Sequence, residues 1–480
     1  MKRFFLFLAV SIFTVNAYTQ NSTQNSYQEW KPSQDEYKDF DIGKYKTPDI
    51  VRNQMDITFD FNSYHSNSES TYTNWDSRNE SSIINGNISA IFSHYVNTRK
   101  KISNFASYLS IEENSRKDKQ TYTYNQLPNI DRTSSFSQQN SLTLVWLEKR
   151  YFSNLFFINY SINGNISYNF NRNKTENVLE DTDQKQKKFF FHISPQAGTG
   201  YGRIENVRDA RHTVYIANAL TKNGVLTRRL SDEEMMEMSQ IISTVKNKRF
   251  LDSRQHFIEE ITSLDTFFAD HDLLADNGAA YFTTLYDMWQ YGDLFSRRSG
   301  YEISFAIHPS FSHQKVKYTP IIQEMIYQSN QYLMSLSFDY EKPFQLKWQH
   351  SLSTEVFGGI YSSSTEEKQN NFKNTETDKN NMFSALAYYA LGYYPNTRTN
   401  IQITTSQQML KYINEDDTNS TIFQSMLGAN LFYYFSPNLR LSCDFDLVYS
   451  PRRYRGNENY YSDRNYFSSL FNIQMTYLIF

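Results

Sequence analysis

The stretch Phe157–Asn171, FINYSINGNISYNFN, decides the fold class. Ile158, Tyr160, Ile162, Gly164, Ile166, Tyr168 and Phe170 fall on one side of an extended chain. Asn159, Ser161, Asn163, Asn165, Ser167 and Asn169 fall on the other, because successive strand side chains point to opposite faces. One face is apolar and aromatic, the other small and polar. A half-buried strand of a soluble sandwich shows the same alternation. This run is far longer than the roughly five or six residues common there. It predicts a strand that crosses a membrane, with a lipid-facing wall and a wet wall.

The pattern recurs in both directions. Tyr301, Ile303, Phe305 and Ile307 alternate with Glu302, Ser304, Ala306 and His308; Tyr332, Met334, Leu336, Phe338 and Tyr340 repeat it. So do Leu439, Leu441, Cys443, Phe445, Leu447 and Tyr449, and a last run carries Phe467, Phe471, Ile473, Met475, Tyr477 and Ile479. About fourteen such segments are present, an even number in the range of bacterial outer-membrane barrels. They centre near residues 60, 90, 107, 144, 163, 194, 307, 336, 353, 388, 405, 429, 444 and 473. Short connections with Asn, Pro or Ser (VNTRKK, KRYFSN, YEKPFQ, YYPNTRT, FSPNLR) suit tight turns. They alternate with long polar stretches, Asn114–Gln139, Asn171–Gln186, Ser362–Asn381 and Pro451–Asn465, expected as extracellular loops. The expected fold is an all-β transmembrane antiparallel β-barrel of about fourteen strands.

Composition allows three classes. With 37 Tyr and 37 Phe in 480 residues and a mean hydropathy of −0.66, the chain suits prion-like disorder, a secreted β-sandwich or a membrane barrel. Periodicity argues against the first, and the regular alternation of short and long connections against the second. A net charge of −3 supplies no basic field for nucleic acid. The single cysteine, Cys443, excludes a disulfide framework and a cysteine zinc site. MKRFFLFLAVSIFTVNAYTQ, residues 1–20, has Lys2 and Arg3, an apolar run from Phe4 to Val15 and a small-residue site ending at Ala17. It reads as a signal peptide over 1–17, followed by a polar periplasmic linker over 18–50. No later apolar run is long enough for a transmembrane helix.

Strands one to six are expected within 51–203 and seven to fourteen within 300–480. The sixth connection, 204–299, is different. Taking the first connection, His65–Ser82, as external puts the sixth on the periplasmic side. Val207, Ala210, Val214, Ala217 and Leu220 mark a first helix, stopped by Gly224. Ser231 and Glu234 form a capping box for a second, with Met235, Met238, Ile241, Ile242 and Val245 on its apolar face. Phe257, Ile258, Ile261, Leu264 and Phe268 mark a third; Tyr281, Leu285, Met288 and Trp289 a fourth, closed by Gly292. Four amphipathic faces in about ninety residues suffice for a small core, so a folded four-helix periplasmic insert is expected.

GYGRIENVRDAR, LSDEEMMEMSQIISTVKNKRFLDSR and YFTTLYDMWQYGDLFSRRSGYEI within this insert resemble a helical insert of outer-membrane β-barrel proteins of the Bacteroidota. The leader, the aromatic strands and the final Phe480 are similar to that group as well. The resemblance implies an outer-membrane barrel and brings no activity with it. In one respect the chain departs from it: Phe480 is out of phase with Phe471, Ile473, Met475, Tyr477 and Ile479.

No HExxH, GxSxG, CxxC or glycine-rich phosphate loop is present, and no catalytic, cofactor or metal site is expected. Asp270-His271-Asp272 reads as solvated turn rather than metal ligands. His308 and His350 lie in strands, with nothing to assemble a hydrolase triad around them. The polar wall carries isolated charges, Glu302, Lys347, Glu355, Arg440, Asp444 and Asp446, in a nearly neutral lumen. Asp444 and Asp446 read either as an acidic spot for cations or as partners of Arg440. The clusters Thr227–Arg229, Lys246–Arg249 and Arg297-Arg298 read as solvated helix ends or as contacts to lipid head groups. Arg203, Glu205, Arg208, Asp209 and Arg211 read as a lock between insert and barrel rim, or as a partner surface. Two functions are expected. One is a channel or transporter for small polar solutes with the insert as gate or plug. The other is a non-conducting scaffold that binds a periplasmic or outer-membrane protein through 204–299. Outer-membrane lipid is the expected surroundings, and no nucleic-acid partner is expected.

Overall fold

The computed structural model describes residues 36–480 except 73–74, 125–126, 177–180, 249–252, 276–277, 292–294, 321–322, 370–371, 415–418, 437–438, 456–460 and 478–480. The expected signal peptide, most of the linker, Arg249, Gly292 and Phe480 lie outside the described residues. Fourteen strands form one sheet: β1 Ile50–Tyr72, β2 Trp75–Asn97, β3 Lys101–Tyr124, β4 Leu127–Tyr151, β5 Phe156–Glu176, β6 Asp181–Asn206, β7 Arg298–Thr319, β8 Gln323–Phe344, β9 Trp348–Gln369, β10 Phe372–Tyr393, β11 Thr399–Asn414, β12 Asn419–Ser436, β13 Leu439–Arg455 and β14 Tyr461–Tyr477. Each strand pairs antiparallel with the next in sequence, in the order β1 to β14. All fourteen expected centres fall within these strands. Among the described residues no ladder joins β1 to β14.

The expected long loops are a point of difference. Residues 114–139 are ladder on both sides of their tip, with Asn114 opposite Ser137 and Tyr124 opposite Leu127. Asn171–Gln186 and Ser362–Asn381 likewise continue β5–β6 and β9–β10, and Pro451 and Arg455 pair with Asn465 and Tyr461. Backbone pairing needs no apolar face. Where both faces are polar, the alternation that marks a strand in sequence vanishes while the hydrogen-bond ladder persists. Strands therefore run to 26 residues in β6.

The register sorts the side chains by chemistry. Ile158, Ile162, Ile303, Phe305, Met334, Leu336, Phe471 and Ile473 all lie on one face and all are exposed. Phe61 is 76% exposed and Phe471 65%. A soluble sheet covers such a face. Here a contiguous apolar surface far larger than soluble monomers show lies bare, while the Asn- and Ser-rich face is turned away from it. The sheet curls toward that polar face. Lys149 of β4 is ion-paired with Glu302 of β7, across two intervening strands. Arg203 of β6 donates from Nη2 to Asn97 Oδ1 of β2 at 2.9 Å, across three. Gly198 and Gly200 of β6 make room, since a Cβ at Gly200 would meet the Phe157 ring at 2.3 Å. Gly202, at φ +114°, turns the chain so that Arg203 enters the curl.

Between β6 and β7 lie four helices: α1 Arg208–Lys222, α2 Asp232–Asn247, α3 Ser253–Asp270 and α4 Ala279–Tyr291. This block holds the main buried hydrophobic core of the described residues. Val207, Ala210, Val214, Ala217, Leu220, Met235, Met238, Ile242, Leu264, Phe268, Tyr281 and Leu285 are buried together, as their spacing predicts. Ser231 caps α2, its side chain accepting from Glu234 N while the Glu234 carboxylate accepts from Ser231 N. After α1, Gly224 at φ +67° lets Val225 N reach Leu220 O at 3.0 Å. Two expectations are corrected. Ile258 is 63% exposed, and Phe267 packs inward in its place. Residues 37–45, expected as linker, supply Tyr37, Phe40, Ile42 and Tyr45 to the core. Their polar ends find buried partners: Tyr37 Oη accepts from Leu230 N at 3.0 Å, and Tyr45 Oη lies 2.7 Å from Ser243 Oγ.

Candidate functional site

The helical block is fastened to the strand ends around it. Arg297, just before β7, is fully buried. Its Nη1 donates to Leu346 O at 2.9 Å, Nη2 to Trp348 O at 2.6 Å, and Nε to Gln349 Oε1 at 3.0 Å. It thereby satisfies the turn between β8 and β9, whose Leu346 belongs to the block's core. Burial, with Arg211 nearby, pulls the Arg297 guanidinium down to about 10, still charged at neutral pH. Arg211 and Arg297 share one aromatic partner: their guanidinium carbons stand 5.0 and 4.8 Å from the Tyr394 ring centroid. Tyr394 follows β10, and Arg211 Nη2 also reaches Asn396 O at 3.5 Å in the same turn. Phe295 stacks edge-on against Phe432 of β12 at 5.5 Å.

On the other flank, Arg203 Nη2 also donates to Thr98 O at 3.1 Å and Nη1 to Arg99 O at 3.2 Å. Its guanidinium lies 4.8 Å from the Tyr151 ring centroid. Glu205 accepts from Arg99 at 2.7 Å and Arg203 at 2.9 Å. Thr47 Oγ1 donates to Asn206 O at 3.2 Å, and Ser299 Oγ to Gly43 O at 3.4 Å. The block thus touches strand ends from β2 to β12 and lies across the helix-bearing end of the curled sheet.

The five junction residues named from sequence divide between these contacts. Arg203 and Glu205 hold the β2–β3 turn, and Arg211 holds the β10–β11 turn. Asp209 turns into the block, where it pairs with Ser243 Oγ and lies 3.6 Å from Lys246 Nζ. Arg208 sits 3.8 Å from Asp209. Arg203, Asp209 and Arg211 are buried side chains, so they contribute little exposed surface. Members of the basic clusters make contacts within the helical core. Arg228 grips Glu234 through two bonds of 2.8 and 2.6 Å, Arg229 lies over Tyr37, and Lys246 lies over Trp289.

The wall charges are placed as follows. Glu302, Glu355, Arg440, Asp444 and Asp446 stand on the polar face. Lys347 does not. It lies in the β8–β9 turn, where its carbonyl accepts from Tyr394 N at 2.7 Å, because Leu346 draws that turn into the block. Among the described residues no ion pair joins Arg440 to Asp444 or Asp446, which stand roughly 13 and 20 Å along the strand. Asp444 accepts instead from the Asn430 amide, and Asp446 lies against Gly428, where a Cβ would come within 2.8 Å of it. The register adds carboxylates that sequence reading missed: Asp56 and Asp60 of β1, Glu112 of β3 and Asp339 of β8 share this face. Arg52, Lys149 and Arg440 lie within a few residues of the helix-bearing end, and Arg116, Lys188, Arg452 and Arg464 share the face toward the other end. Between these two groups the wall is acidic rather than neutral. Counting parity in β1 alone identifies Asp56 and Asp60; Glu112 sits where the apolar alternation has faded.

Elsewhere the chemistry is sparse. His308 Nε2 lies 2.6 Å from Ser335 Oγ on the next strand, and among the described residues no carboxylate bonds to that imidazole. His350 Nδ1 lies 2.8 Å from Tyr389 Oη on the apolar face. His271 caps its own helix, Nδ1 lying 2.9 Å from Phe267 O. No described group of His, Cys, Asp and Glu has the arrangement of a metal site, and no described helix is long and apolar enough to cross a membrane. Comparison with known protein families and with curated proteins finds no match to this chain.

Proposed function

We propose that the chain is an outer-membrane β-barrel, closed by β1 against β14, that passes small polar solutes and carries the helical block as a cap on its periplasmic mouth. The observation that carries this reading is the inversion of the sheet: apolar side chains bare on one face, Asn, Ser and carboxylates on the other. A bilayer satisfies such a face, and only a closed sheet spans one without unpaired edge groups. Interior positions such as Asn163, Val145 and Leu147 remain exposed, which favours an open, wet lumen over one packed shut. The resemblance of the insert to those of Bacteroidota barrels supports the same compartment.

A second reading rests on the fasteners. Fully buried arginines make a rigid mounting, which suits a scaffold that presents the helices to a partner. Planar-bilayer recordings separate the two, using the full chain and a variant with residues 207–296 replaced by a short turn. Steady conductance steps in either protein support the pore. Two folded but silent proteins overturn it in favour of the scaffold.

A further inference from the structure

At the end of the sheet away from the helices, a cavity of about 580 Å³ opens among the tips of β4 to β8. That volume falls within the roughly 300–1,000 Å³ of small-molecule sites. Nine of its fifteen lining residues are Ser, Thr, Asn or Gln, and their placement is ordered. Ser137 stands opposite Asn171, Asn171 opposite Gln186, Gln186 opposite Tyr318 and Tyr318 opposite Gln323. These five side chains form one rung over five adjacent strands, roughly 19 Å wide at the usual strand spacing. The middle of the rung is already set. Asn171 Nδ2 donates to Gln186 Oε1 at 3.1 Å, and Gln186 Nε2 to Tyr318 Oη at 3.2 Å. Ser135, Asn173 and Gln184 repeat the pattern one rung higher.

The three charged residues at its edge, Asp181, Asp183 and Lys185, occupy the alternate positions of β6, whose side chains start from the opposite face. There Asp183 is gripped by Arg172 at 2.8 and 2.9 Å and by Lys185 at 3.3 Å. What remains inside is a row of amides and hydroxyls, each able to donate and accept, beside one aromatic ring. Such a row has no cation to hold an anion and too little apolar surface for a hydrophobic ligand. It matches a chain of hydroxyls whose C–H faces stack on a ring.

We propose that this rung binds a neutral, hydroxyl-rich ligand, a short uncharged oligosaccharide lying across β4 to β8. The site goes beyond the pore reading and does not depend on conduction. Calorimetric titration of the detergent-solubilised full chain with maltotriose, xylotriose and triacetylchitotriose tests it. Trigalacturonate and chitosan trimer serve as charged comparators. At least one neutral trisaccharide is expected to bind with a Kd of about 1 mM or tighter, and the charged ones at least about tenfold more weakly. Gln186→Ala and Tyr318→Ala are expected to weaken binding about tenfold, while Ser304→Ala, far along the wall, leaves it intact. Gln186→Glu keeps the shape and adds a charge, so it too loses affinity even if an alanine variant folds poorly. The proposal is overturned if no neutral trisaccharide binds below about 10 mM, if the charged sugars bind equally well, or if the rung variants bind like the parent.

Discussion

Arg297 and Tyr394 meet with the guanidinium carbon 4.8 Å from the ring centroid, joining the last residue before β7 to the turn after β10. The guanidinium is fully buried and spends its donors on Leu346 O, Trp348 O and the Gln349 side chain. Removing it strands those acceptors away from water. Arg297→Met is therefore expected to destabilise the attachment of the block by about 3 kcal/mol. Tyr394→Phe keeps the ring face and should cost little; Tyr394→Leu loses the contact to both Arg297 and Arg211. Amide hydrogen exchange over 208–291 reads the result, with faster exchange in Arg297→Met and Tyr394→Leu only. Equal protection in all four proteins would show that the clamp holds nothing.

Burial, and then the Lys246 ammonium, hold the His212 imidazole well below its ordinary titration range. Its Nδ1 lies 2.9 Å from Lys246 Nζ and its Nε2 3.0 Å from Met288 O, which fits a neutral ring protonated at Nε2. In the unfolded chain the same group titrates near about 6.5. Below that value the unfolded state takes up a proton that the folded block refuses. Stability contributed by this group is thus complete above about pH 6.5 and declines as pH falls toward the folded value. Denaturant midpoints of the block should drop between about pH 7 and about pH 5, and His212→Gln should flatten that slope. An unchanged slope in the variant would assign the pH dependence to other groups.

Glu234 serves two partners, the Ser231 amide of its own cap and the Arg228 guanidinium. The bond from Arg228 is the main cause that holds its carboxyl down at about 2. Ser231→Ala should cost about 1 kcal/mol, and Glu234→Gln at least as much, since the neutral amide keeps the cap but gives up the charge-assisted Arg228 pair. Thermal unfolding of the block ranks the two; a clearly smaller loss in Glu234→Gln would contradict Arg228 as the main partner of this carboxylate.

The strand count and the helix positions were legible because burial chemistry alternates with a fixed period. Ile158 to Phe170 can be assigned to one face by counting, and Val207 to Leu220 to one side of a helix. The polar tips were not legible. Lys117, Asp118 and Lys119 alternate nothing, yet Ser81 Oγ bonds to Asp118 at 2.6 Å in a continuous ladder. Tyr37 and Tyr45 were missed for another reason. They join the helical core singly, with partners Leu230 and Ser243 nearly two hundred residues away, and no local period records a contact at that range. Of the candidate site, the junction arginines stood out as a dense charge cluster, but Arg297 looked like a solvated helix end. Lys347 was misplaced because the alternation of β9 runs smoothly back into its turn.

The acidic wall has a consequence for the proposed pore. Asp56, Asp60, Glu112, Asp339, Glu355, Asp444 and Asp446 share the polar face, with basic residues lying nearer its two ends. A conducting barrel should then prefer K⁺ to Cl⁻. Asp444→Asn with Asp446→Asn should lower that preference about twofold or more, since each removed charge is worth about 1 kcal/mol at 4 Å in water. Reversal potentials in a KCl gradient measure both, and an anion-selective pore would exclude a role for this wall.

The most direct measurement asks what each face of the sheet touches. Cys443 is replaced by serine, and single cysteines are placed in turn at positions 301 to 308 of β7. Each is labelled with a fluorophore in reconstituted vesicles and quenched separately by brominated lipid and by iodide in water. An inside-out barrel gives lipid quenching at 301, 303, 305 and 307 and iodide quenching at 302, 304, 306 and 308. Uniform access to iodide at all eight positions, or lipid contact on the Glu302 and Ser304 face, would contradict it.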